Sequence, residues 1–137
     1  MFERIMIPVD LGHTEQMEKA LAIAADLAQR HGAQAYIVGV TQSGPTELAR
    51  TPEAYAEKLA EFAAEHSKTL GTTCATHSEI SHDIAVDLDD ALQRAAGEIG
   101  ADLIVMASHI PGLSDYVFAS NAGYLASHSS MSVFVVR

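Results

Sequence analysis

Tryptophan is absent from this chain, cysteine occurs once, and aromatic residues make up only 6% of its 137 positions. A lone Cys74 rules out an internal disulfide framework, so the core must rest on burial alone, as expected of a cytosolic protein. Positive charge is also scarce. Lys and Arg number 8 against 18 Asp and Glu, for a formal net charge of −10. A nucleic-acid partner needs a clustered basic footprint, and an anionic membrane surface attracts the same residues, so neither is expected. The apolar runs are too short to span a bilayer. The opening Met1-Phe2-Glu3-Arg4-Ile5 lacks the basic region and apolar core of a signal peptide, and a cytoplasmic location is the expectation.

Two glycine signatures are missing as well. There is no Walker A pattern and no G-x-G-x-x-G fingerprint, which removes the usual routes to a P-loop hydrolase or a dinucleotide oxidoreductase. Net negative charge still leaves a bound nucleotide open, because helix starts and backbone N–H groups hold phosphates without basic side chains.

What is present reads as one α/β domain spanning residues 1–137. Hydrophobic residues make up 48% of the chain and charged residues 19%, a balance foreign to disorder. Ile5-Met6-Ile7-Pro8-Val9-Asp10 and Asp102-Leu103-Ile104-Val105-Met106-Ala107 are short apolar runs, as buried parallel strands should be. Pro8 is awkward in mid-sheet, so the ladder is expected to loosen there. Residues 35–40, 73–77 and 133–136 complete five predicted strands.

Helical spacing predicts helices over residues 17–31, 52–70 and 87–98, and a last helix within 116–127 that starts near Ser120, with Gly32 and Gly71 as stops. Asp87 is the expected cap of the third helix and Ser120 that of the fourth. Residues 42–51 read as a solvent-exposed loop, and residues 78–86 as a polar connector. Alternating strands and helices of these lengths predict an open five-stranded parallel sheet with helices on both faces.

Ligands of such sheets bind beyond the carboxyl ends of the strands, where strand order reverses. Pro8-Val9-Asp10 and the stretch from Ala107 to Asn121 converge there. Asp10 can accept from a ribose hydroxyl or an adenine amino group, or simply cap a turn. Ser120 and Asn121 present donors at a helix start, for an anion or for water. Ser108 and His109 can donate to a phosphate or to the loop itself. The seven histidines match no zinc-site spacing, and no metal site is expected. Asp83, Asp87, Asp89 and Asp90 do not match a calcium loop. No nucleophile–base pair stands at a specified spacing, so an enzyme is not expected.

Ile5-Met6-Ile7-Pro8-Val9-Asp10, Gly100 to His109, Ser120-Asn121-Ala122 and Ser132 to Arg137 together resemble the universal stress protein family. The likeness covers nearly the whole chain and is nearest to the short F- and G-type bacterial members. It implies a Rossmann-like fold of the adenine nucleotide alpha hydrolase type, and a homodimer seamed by the final strand, Val133 to Val136. It also implies ATP binding, with Mg²⁺ accompanying the nucleotide, and little or no turnover. Carried over, Pro8, Asp10 and Val40 would meet the adenosine end, and Ala107, Ser108, His109, Ser120 and Asn121 the phosphates.

The family's nucleotide-binding loop runs Gly, two residues, Gly, nine residues, Gly and Ser or Thr. Here Ala107, Ile110 and Ala119 stand at the glycine positions, after loss of one loop residue, and Ser120 alone is kept. A β-branched Ile110 resists positive φ and crowds a triphosphate. The competing expectation is therefore a dimeric stress or adaptor protein that binds no nucleotide and acts through protein partners. A third is a small hydrolase or transferase using Asp10 or His109 as base.

Overall fold

The structure, a computed structural model, describes residues 1–108 and 118–137, with only the backbone of residues 118–121. Its elements are β1 (Arg4–Pro8), a 3₁₀ turn (Thr14–Met17), α1 (Glu18–His31), β2 (Gln34–Gln42), α2 (Pro52–Leu70) and β3 (Cys74–Ser81). They continue with α3 (Ile84–Ile99), β4 (Leu103–Ala107), α4 (Phe118–His128) and β5 (Ser132–Val136). All strand pairings are parallel, in the order β3-β2-β1-β4-β5.

That order follows from the crossovers. The chain steps outward from β1 through β2 to β3, then returns past β1 to β4 and β5. Right-handed connections put α1 and α2 on one face and α3 and α4 on the other, and each helix packs against its companion. β1 and β4 lie between these layers. Ile5, Met6, Ile7, Ile104, Val105 and Met106 are buried almost completely, so these strands have no polar face to alternate with. Gly32 and Gly71 end α1 and α2 with φ of 63° and 66°, the left-handed region open to glycine.

Strand order reverses between β1 and β4, and the two strands part early. Their register holds for Ile5↔Leu103 and Met6↔Ile104 only, while β1 stays paired with β2 through Pro8↔Val38. The N–H of Val9 donates to the Val38 carbonyl at 2.8 Å. Directions alternate along a strand, so the N–H that Pro8 lacks would face β4, the side where pairing has ended. The loosening expected at Pro8 is thus one-sided, and it opens the crevice.

Three boundaries differ from the sequence reading. β3 runs on through Ser78-Glu79-Ile80-Ser81, which pair with Gly39 to Gln42, so His77 lies within a strand. An edge strand with half-buried side chains needs no apolar run, which is why its second half reads as a connector. α3 begins at Ile84 and is capped by Asp83, whose carboxylate accepts from the Ala85 N–H at 3.0 Å. Asp87 sits in the first turn and instead accepts from the Ser81 hydroxyl at 2.9 Å. α4 begins at Phe118, so Ser120 is its third residue and not its cap. No helix among the described residues is long and apolar enough to cross a membrane.

Candidate functional site

A cavity of about 150 Å³ lies where β1 and β2 end. Pro8, Val9 and Asp10 form its rim at the switch point. Val38 and Val40, two residues apart on β2, share the face covered by α3, and Ile84, Leu88 and Leu92 of that helix close the opposite wall. Leu48 covers it from the connection between β2 and α2. That connection is exposed along much of its length, as expected for residues 42–51, but it turns Leu48 and Ala49 inward. Ala49 is buried, its N–H and carbonyl are both bonded to Thr46, and Lys58 Nζ donates to the Leu48 carbonyl. The turn thereby satisfies its own backbone while presenting Leu48 inward.

Two polar groups interrupt the apolar wall. Asp10 accepts from the Gly12 N–H at 2.9 Å through Oδ1, and its Oδ2 lies 3.3 Å from His13 Nδ1. The turn-capping role is therefore realised, and the same carboxylate still borders the cavity. The second group is the Tyr55 hydroxyl. Tyr55 is 2% exposed, and the space a side chain at Gly39 would need is filled by its phenol, with the hydroxyl oxygen 2.2 Å from an ideal Cβ. Burial, and next the charge of Asp10, push the Tyr55 phenol well above its ordinary value. It remains a neutral O–H and hence a donor as well as an acceptor.

The helical pattern of residues 52–70 gives Tyr55 only a core-facing position. The signal that points to it is Gly39, set in the middle of the apolar run Tyr36-Ile37-Val38-Gly39-Val40, because a glycine inside a strand marks a close approach.

Of the residues expected to bind, Pro8, Asp10 and Val40 are brought together around this cavity. Ala107 ends β4 and is buried. Ser108 follows it, and its N–H donates to the Val136 carbonyl at 2.8 Å, extending the ladder toward β5. That donor is turned away from the crevice. Ser120 and Asn121 lie in the first turn of α4. Their side chains, together with His109 and Ile110, fall outside the described residues.

The sequence profile of the universal stress protein family matches the chain over residues 1–137. The chain belongs to the universal stress protein family. Universal stress protein G of Shigella flexneri is 29% identical over 142 residues, covering all of both chains. Among solved structures, a universal stress protein in complex with cAMP superposes with a TM-score of 0.71 at 17% identity, covering 99% of this chain and 97% of that one. The universal stress protein from Archaeoglobus fulgidus in complex with dAMP gives 0.67 at 20% identity, with 98% of each chain covered. At these identities the solved structures establish the shared fold, the five-stranded parallel sheet with helices on both faces.

Proposed function

We propose that this universal stress protein is a regulatory protein that binds an adenine nucleotide, with the base in the cavity beside Asp10 and the phosphates directed toward the end of β4. The observation carrying this reading is the cavity itself, an apolar slot at the switch point with one carboxylate and one neutral hydroxyl on its wall. Its size sets what enters. An apolar space of ~150 Å³ takes up one benzene-sized ring, whereas whole drug-sized ligands need ~300 Å³ or more. A purine base is larger than benzene, so it would fill this space to its rim, and the sugar and phosphates would remain outside. Asp10 accepts hydrogen bonds, matching an amino group or a ribose hydroxyl, and Tyr55 can donate to a ring nitrogen. Solved relatives in complex with cAMP and dAMP agree with a nucleotide ligand. ATP accompanied by Mg²⁺ is the proposed form, bound with little or no turnover.

Calorimetric titration of nucleotide-stripped protein with ATP and Mg²⁺, and separately with AMP and cAMP, tests it. Micromolar binding weakened about tenfold or more by Asp10→Ala supports the assignment. An absence of heat with every nucleotide overturns it and favours the second reading, a dimeric adaptor acting through protein partners.

An observation independent of the cavity bears on the dimer. β5 is an edge strand whose Phe134 and Val135 are exposed. Unpaired backbone groups flanked by exposed apolar side chains are what an edge presents to another strand. We propose that a second copy of the chain pairs there, along Val133 to Val136.

A further inference from the structure

We propose that His77, Glu79 and Glu98 form a binding site for a divalent transition-metal ion of the zinc type, separate from the nucleotide cavity. His77 and Glu79 stand two apart on β3 and so share one face of the edge strand, the face covered by α3. α3 runs back along β3, and this return brings Glu98, in its last turn, over the middle of the strand. His77 Nε2 lies 2.9 Å from Glu79 Oε2 and 3.0 Å from Glu98 Oε2. All three ligand atoms fall within 4.8 Å of one another.

One N–H cannot point along both of those directions, so a shared hydrogen bond leaves one carboxylate poorly served. A metal ion set between the three atoms serves all of them. Zinc bonds to nitrogen and carboxylate oxygen are ~2.1 Å long. Two such bonds at a right angle hold their ligand atoms ~3.0 Å apart, and at a tetrahedral angle ~3.4 Å. Both separations lie within a small adjustment of those in place.

Charge favours the same occupant. Asp87 and Glu79 share a single guanidinium, that of Arg94, which lies 3.3 Å from Asp87 Oδ2 and 3.6 Å from Glu79 Oε1, while Glu98 adds a third carboxylate at His77. The cluster therefore keeps an excess of negative charge. Arg94 engages the Glu79 oxygen that faces away from His77, and so orients Glu79 Oε2 toward the imidazole, as outer partners of metal ligands do. The ligand set also selects the ion. An imidazole with two carboxylates suits zinc, cobalt or nickel, while magnesium and calcium take oxygen alone. Glu98 is 56% exposed on its side chain, leaving a path from solvent and an open coordination position. No zinc-like spacing is visible in the sequence because two ligands come from a strand and the third from a helix nineteen positions beyond Glu79.

The test is a titration of the full chain, freed of metal with chelator and of nucleotide, with Zn²⁺ by calorimetry and with Co²⁺ by visible absorption. The expected result is one ion per chain, bound with a Kd that rises at least tenfold in His77→Ala and in Glu98→Gln. It includes Co²⁺ ligand-field bands lost in both variants, and a Zn²⁺-dependent rise in Tm that EDTA reverses. His82→Ala, outside the cluster, should bind as the wild type does. Glu98→Gln sits on an exposed side chain and keeps the fold, so its loss of binding reports the site and not unfolding. No binding by the wild type, or undiminished binding by folded His77→Ala and Glu98→Gln, overturns the proposal.

Discussion

Gly39 and Tyr55 compete for one small volume, and the glycine exists to yield it. A Cβ at position 39 would stand 2.2 Å from the Tyr55 hydroxyl oxygen and 2.9 Å from two ring carbons. Gly39→Ala is therefore expected to displace the phenol and destabilise the fold by ~1–3 kcal/mol, the usual range for an overpacked core. Urea unfolding measures it, and an unchanged midpoint would show that the ring moves freely.

Asp89 is a second residue with a definite sign. Its Oδ1 is buried without a hydrogen-bond partner among the described residues. Burial, then the neighbouring charge of Asp90, raise its pKa, and His128 offsets part of this. An elevated folded-state pKa means that ionised Asp89 opposes folding. The penalty is absent at a pH below the unfolded carboxylate value of ~3.9. It grows as pH rises toward the elevated folded value and is complete above it. Asp89→Asn should accordingly raise Tm at neutral pH and have a much smaller effect near pH 3. A lower Tm for the variant at pH 7 would contradict this account.

At the scale of elements, helix α3 shows how small the deciding signals are. Its first turn holds Asp83 and Asp87, and either suits the positive end of a helix. Only the backbone settles which one caps. Asp83 is extended, at φ −151°, and bonds the Ala85 N–H, whereas Asp87 is turned to Arg94 and Ser81, with Arg94 chiefly and Ser81 next holding its carboxyl below the ordinary value. Asp83→Ala should cost ~1 kcal/mol, the typical worth of an N-cap, as a drop in the denaturation midpoint with an unchanged slope. An unchanged midpoint in Asp83→Ala would reverse the assignment.

β3 teaches the complementary lesson. The sequence marks its start at Thr73 and loses it after His77, because Ser78, Glu79 and Ser81 carry no apolar alternation. β2 supplies the missing constraint by pairing in register as far as Gln42↔Ser81. The strands that read clearly, β1 and β4, are the ones buried on both faces. The site was legible to the same extent. Pro8 and Asp10 could be named because they close the first strand, and Val40 only through the family resemblance; Tyr55 could not, because helical periodicity does not distinguish a core-facing residue from one lining a cavity.

For the whole molecule, the open question of assembly rests on the β5 edge. Phe134 is 43% exposed there. If a second copy pairs along that strand, Phe134→Lys should convert the dimer to monomer in sedimentation or light-scattering measurements while leaving nucleotide affinity unchanged, since the cavity lies at the other side of β1. A wild type that is monomeric at high concentration, or a variant that stays dimeric, would rule out this seam.

The sequence by itself determined the class of fold, an open parallel sheet with helices on both faces, while the strand order came from the structure. Runs buried on both faces, helical stripes between them and right-handed crossovers admit few other arrangements, and local patterns suffice to state them. Only the tertiary structure decided which side chains meet. Tyr55 fills the gap at Gly39 and shares a cavity wall with Asp10, and His77 and Glu79 meet Glu98 because α3 doubles back along β3. Such encounters depend on register and on the angle at which each helix returns. Those are set by packing across the whole sheet, a non-local balance that no stretch of sequence carries alone.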